Sequence, residues 1–302
     1  IHEDIKRGYD TRDALIENYK KNIRMLARCG IKVICYNFMP VFDWTRTDMA
    51  YVLPDGSDCL AFEAEKVNKI DARKGIDLPG WGTNYSPEKL QELLQSYENI
   101  DEDQLWENCK YFLDACIPVA EECGVKLALH PDDPPRPIFG LPRIAKNVED
   151  YRRILGYIKS PANAITFCCG SFGSSAENDM PVMIREFGKE IPFVHFRNIK
   201  LFEDGSFYEC GHVTESGSSD MGEVMRALHD IGFDGYLRPD HGRRIWDEAW
   251  SIQKVKLPDG TEVEEHRPDG FNGIRPAAGY GLFDRALGAA YALGLWEGLE
   301  KR

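Results

Sequence analysis

Apolar positions recur along the chain in two alternating periods, and that alternation predicts the architecture. Between Thr11, a candidate N-cap, and Gly30, a candidate helix-ending glycine, Leu15, Tyr19, Ile23 and Leu26 fall at helical spacing, and the β-branched and aromatic run from Ile31 to Phe38 follows at once. The step repeats. Leu105, Cys109, Phe112, Cys116 and Ala120 stripe a helix over about 103–123, Gly124 stops it, and the run from Val125 to His130 reads as a strand. Asn147 caps a helix carrying Tyr151, Ile154, Leu155 and Ile158, ahead of a strand at 164–169. Asp179 caps another that ends at Gly188, ahead of 191–196. Asp220 opens a helix with Val224, Met225, Leu228 and Ile231, stopped by Gly232, ahead of 234–240, and a last helix covers 282–300.

Helices alternating with strands in this way predict an α/β fold in which crossover helices wrap a parallel sheet. At 302 residues the chain is within reach of one (β/α)8 TIM barrel, so a single domain over 1–302 is expected. Five strands are clear and 207–210 is a weaker sixth, which leaves about two of the eight to be placed before Ile1. The polar stretch at about 55–102 reads as a long excursion, with Leu78-Pro-Gly-Trp81 marking a loop. Residues 254–264 alternate polar and apolar around a Pro258-Asp259-Gly260 turn. That pattern predicts a hairpin inside an insertion at about 250–275, which is a lid or a surface insertion without a role.

Composition narrows the partners. Lys and Arg number 37 against 50 Asp and Glu, a formal charge of -13, which argues against a nucleic-acid partner. No run approaches the roughly 18 to 20 apolar residues of a membrane span, and no basic segment leads an apolar one as in an export signal. A cytoplasmic protein with no membrane partner is expected. The nine cysteines form no CxxC pair and read as reduced thiols. Cys109, Cys116 and Cys123 step by seven along a helix, roughly 10 Å apart, which suits core filling better than one shared metal.

In parallel α/β folds chemistry collects where the strands end at their C-termini. His130, Cys168 with Cys169, His195, and Asp240 with His241 stand at four such ends. A lone His or Cys in a strand is ordinarily core, but imidazole, thiolate and carboxylate together suit Mn, Fe, Co or Zn better than Mg or Ca. The conjunction predicts a mononuclear metal site. Successive strand residues face opposite ways, so only one of the two cysteines can join it, and Cys168 is favoured. Arg238-Pro-Asp-His-Gly242 packs a cation, a carboxylate and an imidazole around a turn, with a structural ion pair as the plainer reading of Arg238. Tyr280, between Gly279 and Gly281, is a proton donor or acceptor, or else an ordinary loop tyrosine. His212 is a lesser candidate for substrate contact, while His229 and His266 read as solvated.

Four segments carry a family resemblance: Tyr36-Asn-Phe-Met-Pro-Val-Phe-Asp-Trp-Thr-Arg-Thr-Asp48, His130-Pro-Asp-Asp-Pro-Pro-Arg-Pro137, Phe167-Cys-Cys-Gly-Ser171 and Arg238-Pro-Asp-His-Gly242. They resemble the mannonate dehydratase family. The resemblance implies a metal-dependent barrel similar to the xylose isomerase group, holding Mn2+ or Fe2+ on His130, Cys168, His195 and Asp240, with His241 and Tyr280 as acid and base. It implies dehydration of a small sugar-acid substrate, D-mannonate, to 2-keto-3-deoxy-D-gluconate in hexuronate catabolism, by a homo-oligomer. Two features depart from the family pattern: Cys169 stands where a threonine is expected, and the span from His241 to Tyr280 is longer than usual. Arg238 and Arg46 are candidates to hold the carboxylate or hydroxyls, with Asn37 and His2 beside them. Asp132 or Asp133 is the expected acceptor for the second N–H of His130. The rival readings are a metal-dependent sugar isomerase or epimerase of the same barrel group, for which Asp240 alone is too few carboxylates, and a catalytically silent sugar-acid-binding protein.

Overall fold

The computed structural model describes residues 1–70, 86–248, 250–256, 260–268 and 278–301. Helices α1 (Glu3–Arg7) and α2 (Arg12–Arg28) lead into β1 (Val33–Tyr36), followed by β2 (Asp48–Val52), β3 (Asp58–Phe62), α3 (Ala64–Asn68) and α4 (Pro87–Gln95). Next come α5 (Glu102–Glu122), β4 (Lys126–Leu129), α6 (Val148–Tyr157), β5 (Asn163–Cys168), a short α7 (Cys169–Gly173), α8 (Met180–Phe187) and β6 (Phe193–Phe196). The remainder holds β7 (Ile199–Leu201), β8 (Phe207–Glu209), α9 (Met221–Asp230), β9 (Tyr236–Pro239), β10 (Trp250–Lys256), β11 (Glu262–Pro268) and α10 (Leu282–Glu300).

Strands β1, β4, β5, β6 and β9 lie side by side in that order, each parallel to its neighbour, and form a curled α/β half-barrel. The helices between them bury their apolar stripes on its outer face. Phe112 and Ile117 of α5, Ile154 of α6 and Leu228 of α9 share one core with Leu127, Leu129, Ile165, Phe167 and Val194 from the strands. In β5 the core takes Ile165 and Phe167, which leaves Thr166 and Cys168 on the inner face. Cys109 and Cys116 are fully buried in that core as reduced thiols. The N-terminus of α5 is closed by Asp101, whose side chain accepts the Gln104 N–H at 2.8 Å. Asp101→Ala is therefore expected to cost about 1 kcal/mol, read as a lower urea midpoint with unchanged slope.

Residues 207–210 do not extend the parallel sheet. They form β8 of a four-stranded antiparallel sheet, ordered β2-β3-β8-β7, so the described parallel strands number five. The cause is chain length: a parallel return needs a crossover of a dozen or more residues, whereas Leu201 pairs with Phe207 through a tight turn at Gly205, φ +81°. The stretch at 55–102 is likewise more than a polar loop, for it contains β3, whose five residues are all buried, and helices α3 and α4. Leu78 to Trp81 lie outside the described residues. The hairpin is present and longer than 254–264, pairing Trp250 with Pro268 through to Lys256 with Glu262. Among the described residues no helix is long and apolar enough to cross a membrane.

Candidate active site and metal centre

Four strand ends build the site. His130 follows β4 and its backbone N–H bonds the Tyr36 carbonyl at 2.7 Å, which ties the ends of β4 and β1 together. Cys168 closes β5 in register with His195 of β6, and His195 is in register with Arg238 of β9. One donor atom from each of His130, Cys168 and His195 lies within 4.8 Å of the others. Just past β9, Asp240 Oδ2 stands 3.5 Å from His195 Nδ1, and its other oxygen accepts from Arg238. Cys169 begins α7 and turns into the apolar core, where burial pushes its thiol up.

Charge in this cluster is set by neighbours working against burial. Desolvation alone would raise the Cys168 thiol, but His130 beside it, hydrogen bonds from His130 and His195, and the Arg197 guanidinium hold it well below the ordinary thiol range. The effect is mutual: burial would lower His130, yet the sulfur raises it to about 10. His130 Nδ1 donates to the Pro131 carbonyl at 2.7 Å, which leaves Nε2 as the nitrogen that faces the cluster and that a metal would take in place of its proton. That carbonyl replaces the partner expected from Asp132 or Asp133. Asp132 instead accepts the Ala145 N–H at 2.9 Å, and Asp133 is engaged by arginines. Two imidazoles and a thiol, with His195 Nδ1 buried and lacking a hydrogen bond, fit a divalent transition ion; Asp240 stands beside His195 but outside that three-residue group.

A cavity of about 270 Å³ opens above the cluster, bordered by Asn37, Asp43, Trp44, His195, Arg238, Asp240, His241 and Tyr280 among others. His241 Nε2 and the Tyr280 hydroxyl are 2.8 Å apart, and the other ring nitrogen of His241 is 3.4 Å from Glu209 Oε1. Burial, then the Asp240 charge, push the Tyr280 phenol up to about 12. Although the intervening span is long, the two segments are pinned together: Gly242 N–H bonds the Gly279 carbonyl at 2.9 Å, and Arg243 N–H bonds Asp284 of α10 at 2.9 Å. Glycine is needed at 242, where a Cβ would come within 2.6 Å of the Asp284 carboxylate.

Four buried charges interlock at the cavity, two of which, Asp133 and Arg197, border it. Arg197 bonds Asp133 at 2.7 Å and Glu209 at 2.7 and 2.8 Å, while Arg46 bonds Asp133 at 2.9 Å and Glu209 at 2.7 Å. Burial opposes ionisation of Glu209, but the two guanidiniums pull its carboxyl down to about 2. Arg46, expected near the substrate, is fully buried and does not border the cavity; its Nη nitrogens are committed to Thr45, Asp133 and Glu209. His2 also lies outside the cavity wall, where its ring accepts the Asp4 N–H at 3.1 Å and caps α1. His212 is buried behind Gly242, 3.9 Å from Asp284, with no place on the cavity wall. His229 is partly buried against Trp296, ring centroids 5.3 Å apart, rather than solvated, and His266 belongs to β11 rather than a loop. Sequence reasoning missed Asp43, Trp44, Arg197 and Glu209. The first two follow β1 and Arg197 follows β6, so a wider search of the strand ends would have found them. Glu209, on the second sheet, gave no such signal.

A family model described as D-mannonate dehydratase (UxuA) matches residues 1–258. The curated mannonate dehydratases of Thermotoga maritima and Thermotoga neapolitana are each 50% identical over 313 residues, spanning 100% of this chain and 79% of the relative. The crystal structure of mannonate dehydratase from Streptococcus suis serotype 2 is similar with a TM-score of 0.82 at 43% identity, covering 99% of this chain and 75% of that one.

Proposed function

The chain belongs to the mannonate dehydratase family and is a hydro-lyase that dehydrates D-mannonate, and from that premise we propose how its residues divide the reaction. The proton beside the carboxylate must leave carbon, hydroxide must leave the neighbouring carbon, and the resulting enol rearranges to 2-keto-3-deoxy-D-gluconate. His130, Cys168, His195 and Asp240 would hold one Mn2+ or Fe2+, whose contribution when bound is Lewis-acid stabilisation of charge developing on the substrate carboxylate. His241 takes the carbon-bound proton at Nε2. Tyr280, protonated at neutral pH because its phenol is pushed up to about 12, gives its proton to the departing hydroxyl. Their 2.8 Å contact then returns the proton from His241 to the tyrosyl oxygen, so that one turnover releases one water and leaves both groups as they began. Arg238 offers its guanidinium to the substrate carboxylate and Asn37 its amide to a hydroxyl, since both border the cavity.

The observation that carries this assignment is the His241–Tyr280 pair beside the His/Cys/His group in one cavity. The test is product formation from D-mannonate with and without Mn2+ or Fe2+, detected with thiobarbiturate, in the parent protein and Tyr280→Phe. Tyr280→Phe is expected to bind the same amount of metal and to lose about 10²- to 10⁴-fold in kcat. Unchanged kcat would remove Tyr280 from the proton path.

We also propose that the barrel is of the xylose isomerase-like TIM type and is closed by βα units outside this chain; the outer edges of β1 and β9, unpaired among the described residues, support that reading. The chain is proposed to act as one catalytic domain in a cytoplasmic homo-oligomer, in hexuronate catabolism, with the β10–β11 hairpin as a lid. The position of that hairpin, between the segments that carry His241 and Tyr280, supports its assignment.

A further inference from the structure

We infer that Glu209 is the positioning residue for His241, holding its ring in the one tautomer that can take a proton from substrate. The inference rests on the reading of His241 as the proton acceptor. His241 is buried, and its Nδ1 has no hydrogen-bonding partner among the described residues except the approach of Glu209 Oε1 at 3.4 Å. A neutral imidazole carries its proton on one nitrogen only. If the proton sat on Nε2, the lone pair of Nδ1 would face a buried carboxylate, and Nε2 would have nothing with which to accept from Tyr280 or substrate. With the proton on Nδ1, both conflicts disappear.

Glu209 is well placed to enforce this because it cannot move away. Its carboxylate is fully buried and is gripped by Arg197 through two nitrogens and by Arg46 through a third. Those cations keep it ionised, so it accepts from His241 without removing the proton. Trp44 lies edge-on to the imidazole, ring centroids 5.9 Å apart, and limits rotation of the ring from another side. Carboxylate, imidazole and hydroxyl thus stand in sequence, Glu209 to His241 to Tyr280, which is the logic of an oriented general base. Glu209 arrives from β8 of the antiparallel sheet, so that sheet supplies part of the machinery of the half-barrel beside it.

The test compares kcat and KM for D-mannonate in the Mn2+-loaded parent protein, Glu209→Gln, His241→Asn and the double variant. In E209Q the oxygen that takes both arginine Nη contacts is also the one facing Nδ1, so the amide N–H is forced against Arg197 Nε. The neutral side chain loses both its charge and its fixed grip, and Nδ1 loses the anion that holds its proton. E209Q is expected to lose about 10²-fold or more in kcat, with KM and metal content little changed, and to cause no further loss in the H241N background. A parent-like kcat in E209Q, or a second loss of similar size in the double variant, would overturn the inference. A parent-like kcat in H241N would instead overturn the reading on which it rests. Should E209Q alone fail to fold, R46M/E209Q removes one buried charge of each sign, and its kcat relative to R46M gives the same comparison.

Discussion

Cys168→Ser is expected to reduce bound metal to background and turnover by about 10³-fold or more, the equivalent of several kcal/mol of lost transition-state charge stabilisation. The reason lies in ionisation. The Cys168 sulfur is buried, yet His130, His195 and Arg197 favour its anion, and Ser171 adds a hydrogen bond at 3.2 Å. A serine hydroxyl in the same place would remain protonated, so the site would lose its soft anionic donor while keeping its volume. Metal content of the purified protein and thiobarbiturate-detected product are the two readouts, with Cys169→Ser as the comparison. Cys169 points into the apolar core, so its replacement should leave metal content unchanged. Full metal occupancy in C168S would show that the sulfur is not a ligand.

Arg197→Met is expected to cost about 3–5 kcal/mol of folding stability, because it leaves Asp133 and Glu209 buried against the single remaining guanidinium of Arg46. The pH dependence follows from the direction of the shifts. Asp133 is held well below the usual carboxylate range, with Arg197 and Arg46 overcoming the opposing effect of burial, and Glu209 is pulled to about 2. Their contribution is present in full above the unfolded-state values near ~4 and is lost as pH falls through the folded ones. Without Arg197 both carboxyls protonate more readily, so acid unfolding should begin at higher pH. Urea denaturation at neutral pH and an acid titration of circular dichroism test both statements. R197M/E209Q should recover part of the loss by restoring charge balance, and a neutral result for R197M would mean that water or neighbours compensate the freed carboxylates.

The half-barrel and much of the site were legible because both follow from local periodicity. His130, Cys168, His195 and Asp240 each stand at or near the C-terminal end of a parallel strand, and alternation admitted only one of the two cysteines to the inner face, where Cys168 lies while Cys169 turns into the core. What escaped depends on pairings distant in sequence. Nothing near Phe207 announces that this segment will lie against β3, where Phe62 and Phe207 stack 5.2 Å apart, and so nothing announced that Glu209 would reach His241. Arg46 misled for a related reason. An arginine that will be buried between two carboxylates reads in sequence like one free to clasp a substrate, and its partners Asp133 and Glu209 are 87 and 163 residues away. The short α7 was missed because five residues hold too little of a helical period to register.

The bonds from Gly242 to Gly279 and from the Glu248 carboxylate to the Leu282 N–H, at 2.9 Å each, have a consequence for how this chain can change. They hold the two ends of the intervening segment, at Glu248 and Gly279, close together, and the entropy of closing a connection between fixed ends grows only logarithmically with its length. The spacing of His241 and Tyr280 is thus independent of how many residues separate them. This is where the protein can gain or shed sequence, or receive a grafted peptide or tag, while the two groups that exchange a proton keep their positions.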